Sequence, residues 1–227
     1  MGFFRHPLLM LFVAVLVLAG CRSAGEFGNE PNNLVNRARL SFKGMMSDNQ
    51  YPGLVDLVSR AKAIIILPNQ MKAAFIIGGR GGNAVMVARN QYGEWSNPAF
   101  YTLGGLSIGL QVDAHTSEMI IAVMTDKALH AIMARQVTLG GDAGLAIGEL
   151  GKGFNAATGL DLNADMYAFA RSEGLFVGAA LQGSVIAPRH TWNRALYGQG
   201  ATPQGILINR TNTSSSQEVL DLLKVLP

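Results

Sequence analysis

The stretch that decides the fold is Lys62–Arg89, which reads KAIIILPNQMKAAFIIGGRGGNAVMVAR. Its residues 63–67, Ala-Ile-Ile-Ile-Leu, are apolar and mostly β-branched, which predicts a buried strand that ends at Pro68. Two further apolar runs flank Arg80-Gly-Gly-Asn83, whose residue types suit a tight turn with positive φ. The stretch therefore predicts a buried strand followed by a glycine-turned β-hairpin.

The composition of the whole chain points to a globular, strand-rich protein. The 227 residues are 49% apolar and only 15% charged, and 27 of them are glycine. Average soluble domains carry about 25% charged residues and about 7% glycine, so this chain is poor in charge and rich in glycine. The formal net charge of +3 is too small to indicate a nucleic-acid partner, and the apolar content argues against disorder.

The N-terminus has the pattern of a lipoprotein signal. An apolar run from Pro7 to Gly20 follows Arg5 and is too short for a comfortable transmembrane helix. It ends in Leu18-Ala-Gly-Cys21, which resembles the bacterial lipobox, and Cys21 is the only cysteine. We therefore expect residues 1–20 to be a signal peptide and residues 21–33 to be a polar tether that begins with an acylated Cys21. Because Arg22 follows the cysteine, we expect the protein to be anchored in the outer membrane with its domain in the periplasm. The alternative is an ordinary secretory signal followed by a chance cysteine.

The remaining patterns outside the central stretch alternate between helical and strand periods. Leu34–Ser47 predicts an amphipathic helix with a basic face, and Pro52 is suited to start a second helix. Further along, the patterns predict a strand pair 100–113 and 118–124, a helix 127–134 capped by Asp126, strands 145–147, 165–172, 175–181 and 184–187, and helices 188–197 and 216–226. The expected fold is α+β: a curled, barrel-like, antiparallel, glycine-rich sheet packed with N- and C-terminal helices over residues 34–227.

Three motifs that suggest catalysis or metal binding lack a required part. Gly105-Leu-Ser107-Ile-Gly109 matches a serine-hydrolase pattern, but the residues after Ser107 alternate as a strand instead of forming the helix that the nucleophile elbow needs. Gly148–Gly153 lacks the first glycine and the Ser or Thr of a phosphate loop. The histidines are not at metal-ligand spacing. We therefore expect no catalytic residue, no metal site and no cofactor.

Basic residues are concentrated between Arg37 and Arg80. We select six of them as candidates for binding anionic lipid headgroups: Arg37, Arg39, Lys43, Lys62, Lys72 and Arg80. A basic amphipathic helix is typical of proteins that lie on a membrane surface. The alternative is that the apolar stripe packs onto the sheet and the basic face is only solvated. Two interpretations are also open for the aromatic residues Trp95, Phe100 and Tyr101. They either form an exposed aromatic lip or belong to the core.

Several of these segments together resemble the SYLF lipid-binding domain family. The resemblance lies in residues 62–68 and 72–81 of the stretch quoted above and in five later motifs: Trp95-Ser-Asn-Pro-Ala-Phe-Tyr-Thr-Leu-Gly-Gly-Leu-Ser-Ile-Gly-Leu-Gln111, Met124-Thr-Asp-Lys-Ala-Leu129, Tyr167-Ala-Phe-Ala-Arg-Ser-Glu-Gly-Leu-Phe-Val-Gly178, Leu181-Gln-Gly-Ser-Val185 and Tyr197-Gly198. It extends over about residues 34–226. Asp113 departs from the pattern, which has glycine there.

The resemblance implies binding of phosphoinositides or other anionic lipids, with actin binding in some eukaryotic relatives and no catalytic residues. It attributes the lipid contacts to the N-terminal region, here Leu34–Ser47. We expect a membrane-anchored bacterial lipoprotein whose domain binds anionic phospholipid headgroups. The alternative is a structural or protein-interaction module of the cell envelope, with an envelope protein as partner, that is anchored only by its acyl chains.

Overall fold

The apolar run 63–67 lies at the centre of a sheet that carries helices on both faces. The computed structural model describes residues 30–74, 77–108, 116–142, 144–148, 164–171 and 183–227. In these residues the elements follow in the order α1 Glu30–Met46, α2 Pro52–Arg60, β1 Ala63–Ala74, β2 Ile77–Ala88, β3 Ala99–Ile108, β4 Thr116–Val123, α3 Asp126–Ala134, β5 Val137–Thr138, β6 Leu145–Gly148, β7 Met166–Arg171, β8 Val185–Pro188, α4 His190–Tyr197, α5 Pro203–Leu207 and α6 Gln217–Leu223. Residues Pro31–Pro227 form one compact unit.

The eight described strands form one sheet in the order β5-β8-β3-β2-β1-β4-β7-β6. Neighbouring strands are antiparallel, except that β6 and β7 are parallel. The predicted α+β class, with a curled antiparallel sheet and helices at both ends of the domain, is confirmed. The predicted strand 175–181 lies outside the described residues.

Alternate residues of the central strands enter two separate cores. In β1, Ile65 and Leu67 face a core closed by α3 and α5, while Ile64 and Ile66 face a second core closed by α1, α2, α4 and α6. Because both faces are covered, these strands read as continuous apolar runs instead of alternating with polar residues. Each fully buried aliphatic side chain contributes about 1.5–3 kcal/mol to folding.

Pro68 does not end the first strand, contrary to the prediction. β1 continues to Ala74, and its pairing with β2 shifts between Ile66 and Gln70. The shift inserts one extra residue into β1, which is the signature of a β-bulge. A bulge tolerates proline, which has no N–H to donate, within a strand that has neighbours on both sides.

The glycine-rich segment 80–83 is strand and not turn, so the predicted hairpin position is wrong. β2 runs without interruption through these residues, with Arg80 opposite Lys72 of β1 and Gly81 opposite Gly104 of β3. The antiparallel pairing of β1 and β2 extends to Ala74, which lies opposite Gly78. Glycine suits this half of the sheet because strands and connections approach closely: a Cβ on Gly105 would lie 2.6 Å from the Ser184 hydroxyl oxygen.

The predicted second strand pair is also wrong in its partners. β3 and β4 lie on opposite sides of the β1–β2 pair, so β3 pairs with β2 and β4 pairs with β1. Periodicity alone identified both segments as strands but gave no information on which strand each one would join. The connection between them, residues 109–115, lies outside the described residues.

Three helix ends differ from the predictions. α1 begins at Glu30, so the last part of the predicted tether is helical, and Pro31 lies in its first turn, where proline is well tolerated. The side chain of Thr125, and not of Asp126, caps α3 by accepting a hydrogen bond from the Ala128 N–H. Helix α4 begins at His190 because residues 185–188 form β8, and α5 was not predicted.

Ser107 lies inside β3, opposite Gly78 of β2. Ser107 is therefore a strand residue, as predicted, while residues 109–113, on which the nucleophile-elbow interpretation depends, lie outside the described residues. In the predicted glycine loop, Gly148 is the last residue of β6, and residues 149–153 lie outside the described part of the chain.

A buried asparagine of α4 completes the hydrogen bonding of β3. Asn193 is fully buried; its side-chain oxygen accepts a 2.7 Å hydrogen bond from the Phe100 N–H and its amide donates to the Phe100 carbonyl at 3.2 Å. The amide group thus takes the place of a neighbouring strand at this position. A buried N–H without such a partner costs about 1–3 kcal/mol.

We predict that Asn193→Ala lowers the free energy of unfolding by about 2–4 kcal/mol, because the Phe100 N–H loses its acceptor and a cavity forms. Urea denaturation followed by circular dichroism measures the change. The matched control is Asn209→Ala, since Asn209 is exposed and should change stability by less than about 0.5 kcal/mol. Equal losses in the two variants would show that the Asn193 bridge contributes nothing specific.

Candidate functional site

The six basic residues selected from the sequence do not form one cluster. Three lie on α1, Lys62 directly precedes β1, and the other two are paired positions in β1 and β2. Lys62 and Lys72 are ten residues apart on an extended chain, which corresponds to about 30 Å. The structure therefore divides the predicted basic patch into separate sites.

Arg37 and Lys43 form, with Leu40, the exposed outer face of α1. Leu40 is three residues from each cation, so the three side chains lie along one side of the helix. Both cations are exposed, and neither makes an ion pair with a described residue. Leu40 is 53% exposed. This outer face combines two positive charges, which no described acid neutralises, with an apolar centre.

The opposite side of α1 is buried in the core. The side chains of Leu34, Val35, Ala38, Phe42 and Met45 are at most 1% exposed. They pack with Ile64 and Ile66 of β1 and with residues of α2 and α6. For the apolar stripe, the alternative that it packs onto the sheet is therefore correct.

Arg39 differs from its two neighbours because it faces α6. Its guanidinium donates a 2.9 Å hydrogen bond to Asn36 Oδ1. The pKa of Asp221 on α6 is lowered, mainly by hydrogen bonds from Lys224 and Gln217 and to a smaller extent by the charge of Arg39. Arg39 therefore belongs to the contact between the first and last helices more than to the outer face.

Of the three candidates outside α1, Lys62 forms an ion pair, and Lys72 and Arg80 are described by their backbone positions. Lys62 Nζ lies 2.8 Å from Asp126 Oδ2 at the start of α3. Lys72 and Arg80 stand opposite each other in the part of the β1–β2 pair beyond the bulge.

The aromatic residues of the Trp95–Tyr101 motif are structural. Phe100 and Tyr101 are fully buried in opposite cores, and burial raises the pKa of the Tyr101 hydroxyl. The Trp95 indole donates a 2.7 Å hydrogen bond to the Pro227 oxygen, and the Arg89 guanidinium stacks 4.2 Å from its ring centroid. These contacts favour the core alternative over the aromatic lip.

Sequence analysis did not identify Arg171, which joins three elements. Its guanidinium lies 3.1 Å from Asp48, in the turn after α1, and 3.1 Å from Glu118 of β4. The Tyr51 hydroxyl next to it donates to the Ala170 carbonyl at 3.3 Å. Burial raises the pKa of Tyr51, an effect that the nearby Arg171 opposes. These residues are 53 to 123 positions apart from their partners, so no local pattern could have indicated the cluster.

The described residues contain no group of three or more His, Cys, Asp or Glu side chains arranged to hold a metal ion. In the same residues, every helix is too short or too polar to cross a bilayer.

Comparisons with known proteins agree with the fold and the motifs. Residues 104–227 match the model of the family described as Ysc84, Las17-binding protein actin regulator. The chain is 32% identical over 205 residues to human SH3 domain-containing YSC84-like protein 1. This alignment covers 86% of this chain and 59% of the human protein. It is 33% identical over 158 residues to LAS seventeen-binding protein 3 of Saccharomyces cerevisiae, covering 68% of this chain and 34% of the yeast protein.

The alignment with the human protein includes the glycine-rich sheet and most of the chain, but the chain spans less than two thirds of either relative. The matched family is linked to actin regulation and lipid binding, and its domains are generally non-catalytic adaptors. Motifs, fold and sequence identity together show that the chain belongs to the Ysc84/SYLF family.

Proposed function

We propose that this protein is a membrane-anchored, non-catalytic lipoprotein whose domain binds anionic phospholipid headgroups through the outer face of α1. The observation that carries the proposal is the arrangement of Arg37, Leu40 and Lys43. The two cations have no acidic partner among the described residues, and an exposed leucine lies between them. An anionic bilayer surface offers both a negative potential and an apolar interior to such a face.

The contact between the outer face of α1 and a membrane is too weak to hold the protein there by itself. A Lys or Arg near an anionic membrane contributes about 1 kcal/mol, and one leucine adds at most about 1.5–3 kcal/mol. Such a contact orients a domain but does not hold it permanently. Acyl chains on Cys21 would supply the permanent attachment. Residues 22–29 would span at most about 29 Å, which keeps the start of α1 near the bilayer.

The same proposal includes the location of the protein. The lipobox-like sequence at Leu18–Cys21 and the Arg22 that follows support attachment to the bacterial outer membrane, with the domain in the periplasm. The acyl chains and the outer face of α1 would then meet the same membrane.

A second candidate function is binding of an envelope protein, and the turn between β2 and β3 favours it. Tyr92 is 79% exposed at the tip of this turn. The Asn90 side chain accepts hydrogen bonds from the Tyr92 and Glu94 N–H groups, both at 2.9 Å, and Gly93 has a φ of +85°. These hydrogen bonds order the backbone that presents Tyr92, and exposed tyrosines are among the residues that anchor protein interfaces.

We predict that Arg37→Glu/Lys43→Glu lowers the binding of the unacylated chain, residues 22–227, to anionic vesicles at least about tenfold at low salt, because two attractive charges become repulsive. Vesicle co-sedimentation measures the binding, and added salt should weaken that of the unaltered chain. The matched control is Arg135→Glu/Arg194→Glu, which makes the same change in net charge on α4 and after α3. An equal loss in both variants would attribute binding to net charge and contradict a specific face.

The anchor has its own test. We predict that the full chain, expressed in bacteria, incorporates a palmitate analogue and partitions into the membrane fraction. Cys21→Ser should abolish both, because the chain has no other cysteine that could carry the lipid. Labelling followed by gel analysis measures the incorporation. Absence of label on the unaltered chain would identify the N-terminus as an ordinary secretory signal.

A further inference from the structure

α1 presents two different surfaces, and the structure makes only one of them available. The outer face is exposed, while the apolar stripe that contains Phe42 and Met45 is fully buried. A helix that enters a bilayer does so with its apolar side. Deeper membrane contact by α1 would therefore require the helix to leave the sheet.

One polar attachment of α1 and α2 to the sheet lies at the turn between the two helices. Another lies at the far end of α2, where the Arg89 guanidinium donates to the Ser59 carbonyl. The turn between the two helices contributes Asp48 and Tyr51, and both bind at the end of β7. Asp48 binds the Arg171 guanidinium at 3.1 Å, and Tyr51 packs edge-on against Phe169, with ring centroids 6.4 Å apart.

The guanidinium is also packed against α1 itself. A Cβ on Gly44 would lie 3.4 Å from Arg171 Nη1, so the absence of a side chain at Gly44 leaves the room that the guanidinium uses. Glu118 holds the other side of the guanidinium at 3.1 Å. Arg171 is thus held by one carboxylate of the helix–helix turn and one of the sheet.

This arrangement is accessible to competing anions. The Arg171 side chain is 41% exposed, and the Asp48 and Glu118 side chains are 24% and 32% exposed. Phosphate groups bind guanidinium in the same bidentate manner as carboxylates do. A phosphate at this position would replace the carboxylate that fastens the turn. The helix α1 would then be held by its hydrophobic contacts, by the Tyr51 hydrogen bond and by the hydrogen bond from Ser216 to Asn32.

We propose that Arg171 is a latch that keeps α1 and α2 on the sheet, and that anionic lipid phosphates open it by replacing Asp48. The opened helix pair then exposes the apolar side of α1, which enters the bilayer. This inference rests on the proposed function, since it assumes that the outer face of α1 first brings the domain to an anionic membrane. It adds a second, deeper stage to that contact.

Hydrogen exchange in solution, without vesicles, tests the latch separately from membrane binding. The chain 22–227, which contains the whole compact unit, is compared with Arg171→Met and with Asp48→Asn/Glu118→Gln. We expect the amides of residues 34–46 to exchange about three- to tenfold faster in both variants, the effect of losing exposed ion pairs. The amides of residues 63–67 should not change, because β1 stays in the sheet.

The matched control is Arg210→Met, which removes another arginine–carboxylate pair, with Glu94 at 3.2 Å, in which no residue of α1, α2 or the turn between them takes part. It should leave exchange in residues 34–46 unchanged. Unchanged exchange of α1 in Arg171→Met, or equal acceleration in β1, would overturn the latch.

The second measurement is binding to neutral phosphatidylcholine vesicles at high salt, where attraction to headgroups is screened. Arg171→Met should bind these vesicles about three- to tenfold more than the unaltered chain, because its apolar stripe is uncovered more often. Faster exchange without this gain would mean that Arg171 is only a structural brace, and would overturn its role in membrane entry. The proposed function is tested by a different experiment, the binding of Arg37→Glu/Lys43→Glu to anionic vesicles. It fails if that variant and its control, Arg135→Glu/Arg194→Glu, bind equally.

Discussion

The structure depends on a central strand that serves two cores at once. β1 pairs with β2 on one side and β4 on the other, and its alternate residues point into the two cores. Every helix that covers the sheet packs against a core that β1 and its neighbours supply. The apolar side of α1 is part of this arrangement, which is why the helix cannot offer that side to a membrane while the fold is closed.

This constraint separates the roles of the basic residues. Where a cation lies beside an acid of the same fold, its charge is used internally, as in Lys62 with Asp126 or Arg171 with Asp48 and Glu118. Where it lies on the exposed side of a helix and no described acid pairs with it, as in Arg37 and Lys43, its charge is available to a partner. A count of basic residues along the chain does not distinguish these cases, since the distinction depends on neighbours that are distant in sequence.

Membership of the Ysc84/SYLF family is consistent with a domain that binds without catalysis. The chain matches 59% of the human relative and 34% of the yeast relative, so the activities of the whole relatives are not transferred to it. A lipid anchor at Cys21 would give this protein a different way to reach a membrane. In that arrangement the domain needs only a weak headgroup contact, because the anchor supplies the high local concentration of lipid.

The amino-acid sequence by itself determined the class of the fold, the positions of most strands, the amphipathic α1 and the family. These depend on local periodicity and on ordered motifs, which are present in the chain before it folds. The tertiary structure decided the partners of each strand, the bulge at Pro68, the extended conformation of residues 80–83 and the cap at Thr125. It also decided that Lys62 is paired while Arg37 and Lys43 have no acidic partner in the described part of the chain, and that Arg171 joins a turn to the sheet. The physical reason is that pairing, burial and charge neutralisation are made between residues tens of positions apart, and a local pattern carries no information about which of those residues become neighbours.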